Sequence, residues 1–168
     1  VMRYYKGLHI LLEAARNTSL PIVIAGAGPI EHELKAKKES YGLSNVIFLG
    51  RVSDQERGAL YDLCRAVVFP SHMRSEAFGL TLVEGAMHKK PMISTEIGTG
   101  TSYINVHEET GLVVPPGNPR ALRSAMQYLQ GNPEVCSIMG QKSRERYERL
   151  FTAKTMGERY WNLYQRVV

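Results

Sequence analysis

Apolar positions along the chain alternate between two patterns. Short, nearly unbroken apolar runs recur at Pro21-Ile22-Val23-Ile24-Ala25, Asn45-Val46-Ile47-Phe48-Leu49, Ala66-Val67-Val68-Phe69, Met92-Ile93-Ser94 and Gly111-Leu112-Val113-Val114. Each is too short for a helix and predicts a buried strand. Between them, apolar residues fall three and four apart, the spacing of one helical face. That spacing predicts helices over Leu8–Asn17, Ile30–Tyr41, Asp54–Arg65, from near Gly79 through Ala86, from Pro119 to about Gln130, over Pro133–Leu150 and over Thr152–Val168. Punctuation agrees with these limits. Gly26-Ala27-Gly28-Pro29 ends the first strand, and Pro29 suits the first position of a helix. Ser53 followed by Glu56 has the form of a capping box. Glu96–Ser102, rich in Gly and Thr, reads as a loop, and Pro115-Pro116-Gly117-Asn118-Pro119 is a hard stop before a capped helix.

Short apolar strands alternating with helices imply an α/β fold with a parallel sheet covered on both faces. Such sheets bind ligands beyond the carboxyl ends of their strands. The loops at Gly26, Gly50, Ser71 and Ser94 therefore share the functional edge. The 168 residues suffice for one domain, and no internal repeat, low-complexity tract or interior linker interrupts them.

Composition narrows the class only a little. Hydrophobic residues make up 43% and charged ones 22%, a globular balance. No apolar run nears the ~20 residues that span a bilayer, and no signal peptide opens the chain. Cys64 and Cys136 lie far apart in helical stretches, which points to reduced, buried thiols in a cytoplasmic protein rather than a zinc site. The net charge of +5 suits an anionic ligand or an anionic membrane surface, and equally an ordinary basic exterior. Nucleic-acid binding is disfavoured, because no aromatic residues interleave a basic face.

The stretch that carries candidate chemistry runs from Pro70 to Ala86. A helix starting near Gly79 would present free backbone N–H groups, a ready seat for phosphate. Glu76 and Glu84 flank that start with seven residues between them, which sets them ~10 Å apart along the axis. That is too far to share a proton or one small metal ion, and suits holding two ends of an elongated anionic ligand. Asp54 and Asp62, the two aspartates, form no Asp-x-Asp. His72 and His107 have no ligand partners at metal spacing. No metal is called for.

Lys6-Gly7, Gly26-x-Gly28-Pro29, Val46-x-Phe48-Leu49-Gly50-x-Val52, Pro70-Ser71, Glu76-x-Phe78-Gly79, Glu84, Pro91 and Thr110-Gly111-Leu112-Val113-Val114 occur in this order. Together they resemble the donor-binding, C-terminal half of group 1 glycosyltransferases, the retaining family 4 enzymes of GT-B fold. The resemblance covers nearly the whole chain. It implies a Rossmann-like domain over residues 1–151 that binds a nucleoside-diphosphate sugar. It also implies a helix over 152–168 that crosses to an N-terminal acceptor domain absent from this chain. Some of Met156, Tyr160, Trp161, Leu163, Tyr164 and Val167 should then stay out of the core. The family places a strand ending in Gly-Arg before Lys6, and its arginine holds the diphosphate. No Gly-Arg precedes Lys6 here. The expected consequences are a sheet without its central first strand and weakened donor binding.

By the same resemblance Glu84 receives the ribose hydroxyls, and a carboxylate suits a cis-diol. Glu76 belongs at the sugar, where a carboxylate stabilises an oxocarbenium-like centre, and Lys6 at the leaving diphosphate. Glu76 and Lys6 are thus the candidate catalytic pair. Ala77, Phe78, Gly79, Leu80 and Thr81 would contribute backbone N–H groups, the side chains of Phe78 and Leu80 being core. Gly50-Arg51-Val52 would pack against the base, and Gly26, with Gly28, would turn the backbone near the ligand. Plainer readings stand beside these: Glu84, Lys6 and Arg51 as solvated surface, Glu76 as a first-turn acid favoured by the helix dipole, and the glycines as an ordinary turn.

Likeness to bacterial mannosyl- and rhamnosyltransferases of surface polysaccharide synthesis suggests GDP-mannose as donor. A glycan or lipid-linked acceptor would meet it at the inner face of the membrane, through peripheral contact. The other reading is a non-catalytic nucleotide-binding module. Both predict nucleotide binding without a cofactor.

Overall fold

A computed structural model describes residues 1–167. Val168, the last residue of the expected terminal helix, lies outside the described residues. The elements follow the predicted alternation: α1 (Leu8–Ala15), β1 (Ile22–Ala25), α2 (Glu31–Ser40), β2 (Val46–Gly50), α3 (Asp54–Leu63), β3 (Val67–Phe69), α4 (Leu80–Met87), β4 (Met92–Thr95), α5 (Thr101–Ile104), β5 (Gly111–Val114), α6 (Pro119–Gly131), α7 (Pro133–Leu150) and α8 (Ala153–Val167). A single 3-10 turn, Tyr4–Lys6, precedes α1.

Local chemistry accounts for most limits. Ser53 and Glu56 form the reciprocal capping box of α3, and the Asn118 side chain caps α6 through Ala121 N–H. Three boundaries differ from expectation. Helix α1 stops at Ala15 because Arg16 is extended and Asn17 is left-handed. Pro29 lies before α2 rather than at its first position, since Ile30 is the N-cap. Cys64 closes α3 in an extended conformation, so it is not helical. Part of the Glu96–Ser102 loop is also the start of the one-turn α5.

All strand pairings are parallel: β1 with β2, and β3–β4–β5 in order. The ladder is interrupted, for the doublet and the triplet share no backbone hydrogen bond among the described residues. Side chains bridge what hydrogen bonds do not. Ile22, Ile24 and Val46 of the doublet share one core with Val68, Ile93, Leu112 and Val114 of the triplet, under α1, α2, α6 and α7.

The strand period of two sends the alternate residues Val67, Phe69 and Met92 to the opposite face, into a second cluster with Leu82, Ala86 and Ile104. Both faces of the triplet are thus covered. On the doublet one face is open: Val23, Ile47 and Leu49 are about half exposed. The reason is that α3 directs Tyr61 and Cys64 to the second cluster and buries no residue fully.

At the far end, Met156, Tyr160, Trp161, Leu163, Tyr164 and Val167 of α8 are all exposed, from 55% to 77%. The expectation that part of this set stays out of the core is met by all six. No helix is long and apolar enough to cross a membrane among the described residues.

Candidate functional site

The carboxyl ends of β1, β2, β3 and β4 open onto one edge, where Gly26, Gly50, Ser71 and Thr95 lie. Ser94, expected in the fourth of these loops, is instead inside β4 and fully buried, because the strand runs one residue further. Gly26 N–H donates to the Gly50 carbonyl at 2.6 Å, joining the first two of these loops. Both glycines have positive φ, 121° and 71°, which residues with a Cβ rarely adopt. Gly28 serves a different purpose from the ligand turn expected of it. A Cβ there would lie 2.2 Å from the Met2 carbonyl oxygen, so Gly28 admits the buried start of the chain.

Gly7 has a like role at the centre of the edge. Its φ is 68°, and an added Cβ would sit 1.9 Å from the Pro70 carbonyl oxygen. The 3-10 turn can therefore lie directly on the loop after β3, and His72 N–H closes the contact by donating to the Tyr5 carbonyl at 3.0 Å. Tyr4 stacks on His9 with ring centroids 4.8 Å apart, and His72 meets both rings edge-on. Burial, aided by the neighbouring His72, lowers the pKa of His9.

This contact delivers Lys6 to Glu76. The Lys6 ammonium forms an ion pair with Glu76 Oε2, while the Tyr5 and Phe69 rings lie 5.3 and 5.2 Å from Nζ. Ser71 Oγ donates to the same Glu76 oxygen at 3.1 Å, and Thr95 Oγ1 donates to the Ser71 carbonyl. The main chain around Glu76 is clamped by the next loop. Thr99 Oγ1 donates to the Glu76 carbonyl at 2.8 Å, and Gly100 N–H to that of Ala77 at 2.9 Å. The cation read as serving a diphosphate and the acid read as serving a sugar are therefore each other's partners. An ammonium carries three donors, so Lys6 keeps capacity for an arriving anion.

Helix α4 begins at Leu80 with Gly79 as N-cap at φ 97°, and no side chain caps it. No side chain covers its first turn, where Leu82 N–H donates to the Gly79 carbonyl at 2.9 Å. The side chains there depart from expectation. Phe78 is 40% exposed and Leu80 70%, so neither is core. The N-cap glycine turns the chain sharply, leaving Leu82 as the first inward residue while Phe78 meets Phe151 edge-on at 6.2 Å. Ala77 is also exposed and Thr81 half-buried.

Glu84, a turn further along, has a different set of neighbours. Tyr61 O–H donates to its Oε2 at 2.7 Å, and the Arg57 guanidinium lies 3.7 Å from Oε1. Burial, then this bond to Glu84, pushes the Tyr61 phenol far up. Glu76 and Glu84 share no hydrogen-bond partner among the described residues. Arg51 is exposed and Val52 half-buried at the end of β2.

Sequence reasoning passed over Tyr61, Arg57 and Thr99. Arg57 and Tyr61 are one turn apart on α3, and that i, i+4 pairing was the available signal. Glu96, accepting from Ser102 Oγ at 2.7 Å and Gly98 N–H at 2.9 Å, has its pKa held low by these two bonds.

Two concavities elsewhere contain none of these groups: about 260 Å³ by Glu109, Lys142 and Arg149, and about 510 Å³ between the Ala15–Ser19 and Tyr41–Asn45 turns. No group of three or more His, Cys, Asp or Glu side chains could hold a metal among the described residues.

The profile of a family described as "Glycosyl transferases group 1" matches residues 1–146. D-rhamnosyltransferase WbpZ of Pseudomonas aeruginosa is 61% identical over 153 residues, 91% of this chain and 40% of that protein. O-antigen chain mannosyltransferase C of Escherichia coli is 53% identical over 162 residues, 96% of this chain and 44% of that protein. The chain thus spans less than half the length of either relative. Among solved structures, Anabaena Alr3699/HepE, in complex with UDP-glucose, superposes with a TM-score of 0.87 at 22% identity, over 98% of this chain and 46% of that one.

Proposed function

Because the chain belongs to the group 1 glycosyl transferase family, we propose that it forms the donor-binding half of a retaining enzyme using a nucleoside-diphosphate sugar. The observation that carries the proposal is the Lys6–Glu76–Ser71 cluster beside the uncapped start of α4. The diphosphate would rest on the first-turn N–H groups of α4 and on Lys6, with the ribose on Glu84 and the sugar toward Glu76. Lys6 and a helix terminus supply the positive potential a diphosphate needs, so no divalent ion is invoked.

In transfer, the bond between the anomeric carbon and the diphosphate oxygen would break while an acceptor hydroxyl forms its bond on the same face and passes its proton to the departing diphosphate oxygen. Lys6 and the helix N–H groups stabilise charge gathering on the leaving diphosphate, while Glu76 opposes the positive charge at the anomeric carbon. The names of the two relatives support a mannose- or rhamnose-type sugar, and GDP is the carrier we propose for it. The acceptor would be a growing surface glycan or its lipid-linked precursor, bound by an N-terminal domain against which the apolar face of α8 would pack, at the cytoplasmic face of the membrane.

Calorimetric titration with GDP, UDP and ADP, repeated on Lys6→Ala and Glu84→Ala, tests the site. GDP binding that weakens in both variants and persists in EDTA is expected. Undiminished binding in both would remove the site, and loss of binding in EDTA would remove its metal independence.

A further inference from the structure

The hydroxyl of Tyr61 is not explained by packing. Its ring belongs to the second core cluster with Leu82 and Ala86, a place a phenylalanine would fill as well. The hydroxyl reaches out of that cluster to Glu84 Oε2 at 2.7 Å. The ring itself is also held by a histidine. His88 stacks on it with centroids 5.1 Å apart, and His88 Nδ1 lies 2.8 Å from Asp62 Oδ1. Arg57, also paired with Asp54 at 3.2 Å, stands 3.7 Å from the other Glu84 oxygen. A glutamate whose side chain is 34% exposed is thus tied to the helix beside it.

We propose that Tyr61, with Arg57 in support, is a positioning residue that sets the Glu84 carboxylate for a vicinal diol and so makes this chain select ribose over 2′-deoxyribose nucleotides. The inference rests on the donor-site reading above. A carboxylate offers about four acceptor positions, and Tyr61 uses one. The remaining positions include both on Oε1, enough for the two hydroxyls of a ribose. Glutamate has three rotatable side-chain bonds, and ordering such a group only when ligand arrives weakens binding by roughly two- to tenfold. The Tyr61 bond removes that ordering step. Burial keeps the phenol protonated, so the donor is present throughout the physiological pH range.

The test compares GDP with 2′-deoxy-GDP on the full chain and on Tyr61→Phe by calorimetry, with the uridine pair run alongside. Wild type should prefer the ribose form by about tenfold, the scale of one well-made hydrogen bond to a charged group. Tyr61→Phe should lose most of that preference, through weaker binding chiefly of the ribose form, while its melting temperature stays close to wild type. In a Glu84→Ala background the same substitution should change neither affinity. A Tyr61→Phe protein that keeps the full preference, or an undiminished Tyr61→Phe effect without Glu84, overturns the proposal and leaves the donor site standing. Wild type without any ribose preference removes Glu84 from the ribose, and failure of every nucleoside diphosphate to bind removes the donor site itself.

Discussion

The Lys6–Glu76 pair can be separated from its surroundings by a double-mutant cycle. Side-chain exposure is 25% for Lys6 and 11% for Glu76, between a surface pair and a fully buried one. Exposed pairs contribute about 0.2–1 kcal/mol, and breaking a buried one costs about 3–5 kcal/mol because a bare charge remains. Lys6→Met strands the less exposed partner, leaving Glu76 with Ser71 Oγ alone, and should cost about 2 kcal/mol. For a chain of this size that lowers the melting temperature by roughly 4–8 °C. Glu76→Gln strands Lys6, whose head still reaches water, and should cost only about 1 kcal/mol. The double variant leaves no unpaired charge and keeps the Lys6 stem against the Tyr5 and Phe69 rings. It should recover at least about 1 kcal/mol of the summed loss. Urea unfolding of the four proteins measures the coupling. Single-variant costs that simply add, to within about 0.5 kcal/mol, would refute the view that these side chains form one unit. The restored double variant should still bind no nucleoside diphosphate, which separates folding from ligand binding.

Three further outcomes follow from the same geometry. Gly7→Ala sets a Cβ 1.9 Å from the Pro70 carbonyl at a φ of 68°, so it should destabilise by more than about 2 kcal/mol in chemical denaturation and weaken donor binding by displacing Lys6. His9 has a folded pKa below its ordinary 6.5, so between those two values the unfolded chain binds more protons. Stability should therefore be complete above pH 6.5, decline as pH falls from there to the lowered folded value, and level off below it. His9→Phe should flatten this dependence in urea midpoints taken across that range. Trp161, the single tryptophan, is 64% exposed, so its fluorescence in this chain should be red-shifted and freely quenched by iodide.

Much of the architecture was legible in local sequence. The five apolar runs could only be strands, because their length suits strands and their neighbours are Gly and Pro. Ser53 with Glu56, and Asn118 before Pro119, carried their helix starts within four residues, the range over which capping acts. The position of Glu84 inside α4 and the absence of a side-chain cap at Gly79 were equally local.

What only the tertiary structure decided involves residues remote in sequence. Phe78 and Leu80 are as apolar as any core pair, yet the turn at Gly79 leaves them outside, since burial depends on what another element covers. Val23, Ile47 and Leu49 stay half exposed because α3 packs on the triplet. The ion pair of Lys6 with Glu76 spans 70 positions and the Tyr61–Glu84 bond 23. No periodicity encodes such partners. They meet because parallel strands deliver successive loops to one edge, and α3 and α4 turn side chains into the same second cluster.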